Sequence, residues 1–128
     1  MTQEMTALKT AIIERFGTPC AVIDLDLVAR NIVTAQERCD AVGLANRPHI
    51  KTHKSPVLAN LQIKAGARGI TCQKLGEAEV MANAGITDII IATNLLGAAR
   101  SGRLAKLQRR LPLKVCADNT VSLSAYSQ

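Results

Sequence analysis

Residues 47–56, with the sequence RPHIKTHKSP, place one arginine, two histidines and two lysines within one short stretch. A neutral lysine amine is a nucleophile that condenses with aldehydes, and a histidine ring carries protons or binds metals near neutral pH. The stretch is therefore either a solvated basic loop or part of an active site. The secondary structure that carries these side chains decides between the two, because it sets their direction.

The letters NRPHIK predict an extended strand, along which side chains alternate between two faces. Arg47, His49 and Lys51 then share one face, whereas Pro48 and Ile50 share the other. Since the apolar pair is expected to meet helices, the charged side chains should point to the interior of a barrel. Desolvation and cationic neighbours favour a neutral amine, so Lys51 is a candidate for a Schiff base with a carbonyl group. The alternative for Lys51 is a solvated charge where a loop starts.

His49 and His53 stand four positions apart, with no acidic residue beside them. Structural and catalytic zinc sites use three or four protein ligands, so this pair predicts no metal site. We interpret His49 as a polar side chain that lines the barrel. Gln73 and Asn94, at the ends of two later strands, are candidates of the same kind, with ordinary polar loop residues as the alternative.

Short apolar strands alternate with helical periods along the chain. Ser55 followed by Pro56 marks one helix start, Asp24 or Asp26 marks another, and Pro112 ends a helix. Strands are predicted at residues 19–24, 46–51, 68–73, 87–93 and 113–118, with helices between them.

This alternation favours a parallel sheet with helices outside it, in either a barrel or an open doubly wound sheet. No GxGxxG motif follows the first strand and no GxxxxGK[ST] motif occurs, so the barrel is preferred. Chemistry in such a barrel lies at the carboxyl ends of the strands, and Lys51 ends its strand there.

The composition excludes several classes of protein. The chain has 128 residues with 48% hydrophobic content, which suits one packed globular domain, and no apolar run approaches the ~18 residues of a membrane span. A net charge of +6 suggests that the protein binds nucleic acid, but an aromatic content of 2% and the lack of a nucleic-acid-binding motif argue against this function. The four cysteines have no metal or redox spacing and are predicted to be reduced, buried thiols.

The amino end predicts an amphipathic helix. It lacks the apolar run and cleavage site of a secretory signal, which favours a cytoplasmic protein. Its apolar face is formed by Met5, Leu8, Ile12, Ile13 and Phe16.

Several stretches together resemble one enzyme family. TPCAVIDLDLVARNI, RPHIKTHKSP and GITCQKLGEAEVMANAGITDIII, followed by VCADN, resemble the D-threonine aldolase and D-serine dehydratase-like family. Its members are fold-type III pyridoxal 5'-phosphate enzymes, whose barrel is shared with alanine racemase. The resemblance implies that Lys51 forms the Schiff base with the cofactor and that Lys54 has an outer, supporting place.

The resemblance also implies an architecture. The fold expected is α/β, as the amino-terminal portion, about half, of a parallel (β/α)8 TIM-type barrel of the alanine racemase type. Residues 1–24 would supply a helix and a strand that join an absent β-domain, and residues 25–128 would form the first half of the barrel. A closed barrel takes ~250 residues, so the chain is expected to be truncated.

The function implied is that of a lyase acting on D-3-hydroxy amino acids, as a D-serine or D-threonine dehydratase or a D-threonine aldolase. Lys51 would be catalytic, with Arg47, His49, Gln73 and Asn94 beside the cofactor. A divalent metal, Zn or Mn, is expected only in the full-length enzyme, and a homodimer is expected. The alternatives are an amino-acid racemase, a non-catalytic module that binds pyridoxal phosphate, and an inactive fragment.

Overall fold

The computed structural model describes residues 3–127, which form helices around a small parallel sheet. The helices are α1 (Gln3–Phe16), α2 (Leu25–Asp40), α3 (Pro56–Lys64), α4 (Leu75–Asn83), α5 (Ala98–Gln108) and α6 (Thr120–Tyr126). The strands are β1 (Ile70–Cys72), β2 (Ile89–Ile91) and β3 (Leu113–Val115).

The sheet has the order β1-β2-β3, with all strands parallel. Ile70 is in register with Ile89, which in turn is in register with Leu113. A single parallel bridge between His49 and Thr71 adds the segment before α3 to the free side of β1. The basic stretch therefore lies beside the sheet.

The core lies on one face of the sheet. Ile70, Cys72, Ile89 and Ile91 are fully buried there, under helices α3, α4 and α5. The side chains between them in sequence, such as Ile90, point to the opposite face and stay partly exposed. Such one-sided burial is the pattern expected of strands that carry helices on one side and line a cavity on the other.

The residues predicted to begin helices cap them in the structure. Asp24, rather than Asp26, caps α2 by accepting a hydrogen bond from the N–H of Leu27 at 2.9 Å. Ser55 caps α3 by accepting from the N–H of Leu58 at 3.4 Å, with a proline in the first helical turn. Each cap satisfies a backbone donor that the helix leaves unpaired.

Two predicted strands are wrong. Residues 17–24 form an irregular segment, in which Val22 and Ile23 are exposed, because no other strand of the described chain lies beside them to accept their backbone hydrogen bonds. The strand at residues 46–51 is reduced to the single bridge at His49, and Ile50–Thr52 is a 3-10 turn. Lys51 therefore lies in a turn that directly follows the sheet.

Two further expectations are corrected. Helix α1 forms, but none of its described residues is buried, so its apolar face lies open. Of the cysteines, which are all free thiols, only Cys72 is buried, and burial raises its pKa to about 12. Cys20 and Cys116 are exposed. Helix α6 was not predicted, although Asn119 caps it by accepting from the N–H of Ser122.

None of the helices within residues 3–127 combines the length and the apolar character that crossing a membrane requires.

Candidate active site

The turn that carries Lys51 is held by the ring of His49. The Nδ1 atom of His49 accepts a hydrogen bond from the N–H of Lys51 at 3.2 Å, and Nε2 lies 3.2 Å from Oε1 of Gln73. Since Nδ1 is an acceptor, the proton of the neutral ring is on Nε2, which donates to Gln73. One imidazole thus ties the backbone of Lys51 to the end of β1.

The side chain of Lys51 is exposed at the carboxyl edge of the sheet. The described residues therefore do not supply the desolvation that sequence reasoning invoked for its amine. Lys54 has a left-handed backbone conformation, with φ of 48°, and its Nζ lies 3.7 Å from Oε1 of Glu77. The two lysines of the stretch thus differ in that Lys54 has a carboxylate partner in α4.

His53 repeats the arrangement of His49 on the other side of the turn. Its Nδ1 accepts a hydrogen bond from the N–H of Ser55 at 3.0 Å, and burial lowers its pKa below the usual value. The ring is therefore neutral near pH 7, as an acceptor Nδ1 requires. Within the described residues no three His, Cys, Asp or Glu side chains cluster as metal ligands do.

Arg47 lies at the opposite, amino-terminal edge of the sheet. Its Nη1 and Nη2 donate to Oδ1 and Oδ2 of Asp88 at 2.9 and 2.8 Å, which makes a bidentate ion pair. Nζ of Lys114 reaches the same carboxylate, 2.6 Å from Oδ1. The hydrogen bonds from Arg47 and Lys114 hold the pKa of Asp88 well below its usual range.

Gln73 and Asn94 line a cleft of about 610 Å³ at the carboxyl ends of β1 and β2, together with Lys54 and Arg100. Nδ2 of Asn94 donates to Oδ1 of Asp118 at 2.6 Å. Carboxyl ends of parallel strands are where ligands bind in α/β folds. Arg47, His49 and Lys51 do not line this cleft.

Of the predicted site residues, the structure brings together Lys51, His49 and Gln73, and it places Asn94 in the cleft that Gln73 also lines. It separates Arg47 from them. Sequence reasoning missed Asp88, because nothing local marks a partner 41 residues away. Glu77, in the first turn of α4, also belongs to this arrangement, because its Oε2 accepts from the N–H of Gln73 at 2.8 Å.

Comparison with known proteins was made for the whole chain, and no protein-family model matches it. The chain is 42% identical to D-threonine aldolase of Arthrobacter sp. over 114 residues, which are 89% of this chain and 30% of that enzyme. The chain is homologous to D-threonine aldolases and D-serine dehydratase-like proteins. This confirms the family resemblance that the sequence motifs indicate.

Solved structures of this family share the fold. The crystal structure of D-threonine aldolase from Filomicrobium marinum superposes with a TM-score of 0.83 at 38% identity, covering 86% of this chain and 30% of that one. A variant of D-threo-3-hydroxyaspartate dehydratase in a metal-free form gives 0.78 at 45% identity, covering 84% and 28%. The chain thus spans about 30% of the length of the curated aldolase that it matches.

Proposed function

We propose that this chain carries the cofactor-attachment lysine, Lys51, of a pyridoxal 5'-phosphate-dependent lyase that acts on D-3-hydroxy amino acids. The observation that carries the proposal is the homology to D-threonine aldolase over 89% of the chain. That alignment is supported by the structure, in which the RPHIKTHKSP stretch runs alongside a parallel sheet and presents Lys51 at the carboxyl edge.

The residues present fit a covalently held aldehyde cofactor. Lys51 is exposed, so its amine is accessible, and its backbone is held by the ring of His49. His49 in turn donates to Gln73, which lines the cleft at the strand ends together with Asn94. Pyridoxal phosphate, when bound, supplies an electron sink for the bond that is broken at the substrate Cα.

The roles of the protein groups follow from their places. Lys51 would hold the cofactor, and its amine, when free, would accept or return a proton at the substrate. His49, held by Gln73, fixes the backbone of that lysine at the carboxyl edge of the sheet, and Asn94, which donates to Asp118, offers its amide to a polar group of the bound molecule. For Arg47, proposed from sequence as a cofactor contact, the ion pair with Asp88 favours a role that acts through the backbone.

The architecture proposed for the complete enzyme is a (β/α)8 barrel of the alanine racemase type. The one-sided burial of β1 and β2 supports it, because the open face would line the barrel. Residues 25–128 would contribute to this barrel and residues 1–24 would join a β-domain. A homodimer, a small D-amino acid substrate and a cytoplasmic location remain predictions. The divalent metal, Zn or Mn, that the family resemblance implies is not assigned to this chain.

Borohydride reduction in the presence of pyridoxal phosphate, followed by peptide mapping, tests the attachment site. We expect the pyridoxyl label on Lys51 and its loss in Lys51→Arg, because this side chain is exposed at the strand-end turn. Lys54→Arg is the matched control, and it should keep the label. Label on Lys54 with Lys51 unmodified would contradict the proposal.

Turnover assays distinguish aldol cleavage from dehydration, since both activities are compatible with the proposal. D-Threonine tests aldol cleavage, whereas D-serine and D-threo-3-hydroxyaspartate test dehydration. Label on Lys51 without turnover of any of the three would instead support a module that binds the cofactor without catalysis.

A further inference from the structure

We propose that Asp88 is a positioning residue for Lys51. It anchors Arg47, and this anchor fixes the register of the segment that carries His49 and Lys51 against the sheet. The inference rests on the proposed function of Lys51, and it adds a residue that no motif in the chain indicates. It also gives Arg47 a role at a distance from the cofactor.

The ion pair between Arg47 and Asp88 passes over one strand, β1. Arg47 belongs to the segment beside β1, whereas Asp88 immediately precedes β2, so the guanidinium must pass over the start of β1. The residue at that point is Gly69, where a Cβ atom would lie 2.2 Å from Nη1 of Arg47 and 2.4 Å from the carbonyl oxygen of Asp88. Glycine is therefore the residue that leaves room for the crossing.

The segment needs such an anchor because its own pairing with β1 is sparse. The N–H of Arg68 donates to the carbonyl of Asn46 at 2.9 Å, and the N–H of Thr71 donates to the carbonyl of Pro48 at 2.8 Å. Beyond this point the ladder ends, since the N–H of Lys51 donates to the ring of His49.

Register is critical at this place. A slip of one residue would turn His49 to the opposite face of the sheet, and a slip of two would keep its face but move the turn that carries Lys51 along the strand direction. The bidentate Arg47–Asp88 pair disfavours both, because two parallel hydrogen bonds demand one position of the guanidinium.

Asp88 is suited to this task by its surroundings. Its side chain is 28% exposed and that of Arg47 is 16% exposed, so solvent screens the pair only partly. Lys114 of β3 binds the same carboxylate, so one aspartate links the basic segment, β2 and β3. Arg68 lies 4.0 Å away and is largely exposed, at the edge of the cluster.

A second bidentate pair provides a matched control. Arg103 of α5 donates from Nε to Oε1 of Glu79 of α4 at 3.0 Å, and its Nη2 contacts Oε2. This pair joins α4 to α5 and includes no residue of the sheet or of the Lys51 turn, although Arg103 also lines the cleft at the strand ends. Asp88→Asn and Glu79→Gln each neutralise one carboxylate of a bidentate pair, and only the first should affect Lys51.

The first measurement is the rate at which pyridoxal phosphate is trapped on Lys51 by borohydride. Asp88→Asn should reduce it about tenfold, because small displacements of a reacting group are costly, while Glu79→Gln should leave it unchanged. Arg47→Gln combined with Asp88→Asn should be no worse than Asp88→Asn alone, since Asp88→Asn already removes the pair with Arg47. Additive losses would show that Arg47 contacts the cofactor itself and would overturn the inference.

The second measurement needs no cofactor, and it separates failure of this inference from failure of the proposed function. Hydrogen exchange of the N–H groups of Lys51 and Thr71 should accelerate in Asp88→Asn more than in Glu79→Gln, at matched global stability. If Asp88→Asn does not fold, Arg47→Lys replaces it, because lysine keeps the charge but loses the bidentate geometry. Equal exchange in the Asp88 or Arg47 variant and in the Glu79 variant would refute the positioning role.

Discussion

Helices α1 and α4 show how differently two amphipathic sequences are used. Helix α1 is the longer, with 14 residues against 9, yet none of its described residues is buried, whereas α4 buries Leu75, Ala78 and Met81 against the sheet. The apolar side of α1 lines, with residues 18–20 and Val22, an open groove of about 440 Å³. Periodicity thus specifies a helix, but burial needs a facing surface, which the sheet offers to α4 and nothing in residues 3–127 offers to α1.

The largest expected effect tests this contrast directly. Ile89→Ala, in the central strand, should lower the free energy of unfolding by about 2–5 kcal/mol, because the side chain is fully buried and leaves a cavity. Leu8→Ala, at a side chain of α1 that is 54% exposed, should change it by less than about 0.5 kcal/mol. Urea unfolding of both variants gives the comparison, and equal losses would show that α1 is covered in solution.

Replacing each of two glycines with alanine should change the free energy of unfolding in opposite directions. Gly69→Ala should destabilise by about 1–3 kcal/mol, because the new Cβ meets Arg47 and the backbone of Asp88. Gly102→Ala, in the exposed middle of α5 with open space around it, should stabilise by about 0.5–1 kcal/mol. Thermal unfolding followed by circular dichroism measures both. A neutral Gly69→Ala would mean that Arg47 does not cross β1.

The carboxylate of Asp88 should make stability depend on pH. Its pKa is lowered by the hydrogen bond from Arg47 first, so the folded state favours the ionised form. The resulting stability is fully present above the pKa of the unfolded chain, about 3.9, and is lost as the pH falls toward the lower folded value. Asp88→Asn should therefore cost about 1–3 kcal/mol at pH 7 and progressively less below pH ~4.

Glu79→Gln is the control for this pH dependence. Hydrogen bonding to Arg103 lowers the pKa of Glu79 too, so the sign is the same, but the partner arginine is more exposed and the loss should be smaller. Unfolding curves collected between pH 2 and pH 7, in about one-unit steps, would show both trends. A constant difference between Asp88→Asn and the parent at all these pH values would contradict the assignment.

The smallest effects concern the two helix caps. Ser55→Ala should cost about 1 kcal/mol, because α3 carries the buried residues Leu58 and Ala59. Asp24→Ala should cost about 0.5 kcal/mol, because only Gln36 of α2 is buried and fraying at its start exposes little. Denaturant unfolding of the two variants tests the order. A larger loss for Asp24→Ala would mean that α2 contributes more to the core than its burial indicates.

Prediction from sequence succeeded where the cause is local. The cap at Ser55 and the first-turn Pro56 depend on neighbours within a few residues, so their pattern is readable. The three later strands follow their apolar pattern because each of them also finds a partner in the sheet. It failed at residues 19–24 and largely at 46–51, where apolar alternation is present but strand pairing is absent or limited to His49. A strand needs a partner, and no local signal contains one.

The sequence by itself indicated the family resemblance, through RPHIKTHKSP and the other matching stretches, and it placed helices α1–α5 and the three later strands, because motif identity and periodicity are properties of consecutive residues. Only the tertiary structure decided that Lys51 lies in a turn held by His49, that Arg47 is paired with Asp88, and that α1 lies open. The reason is physical. Hydrogen bonds and ion pairs across the sheet join residues distant in sequence, and their partners are chosen when strands align in register.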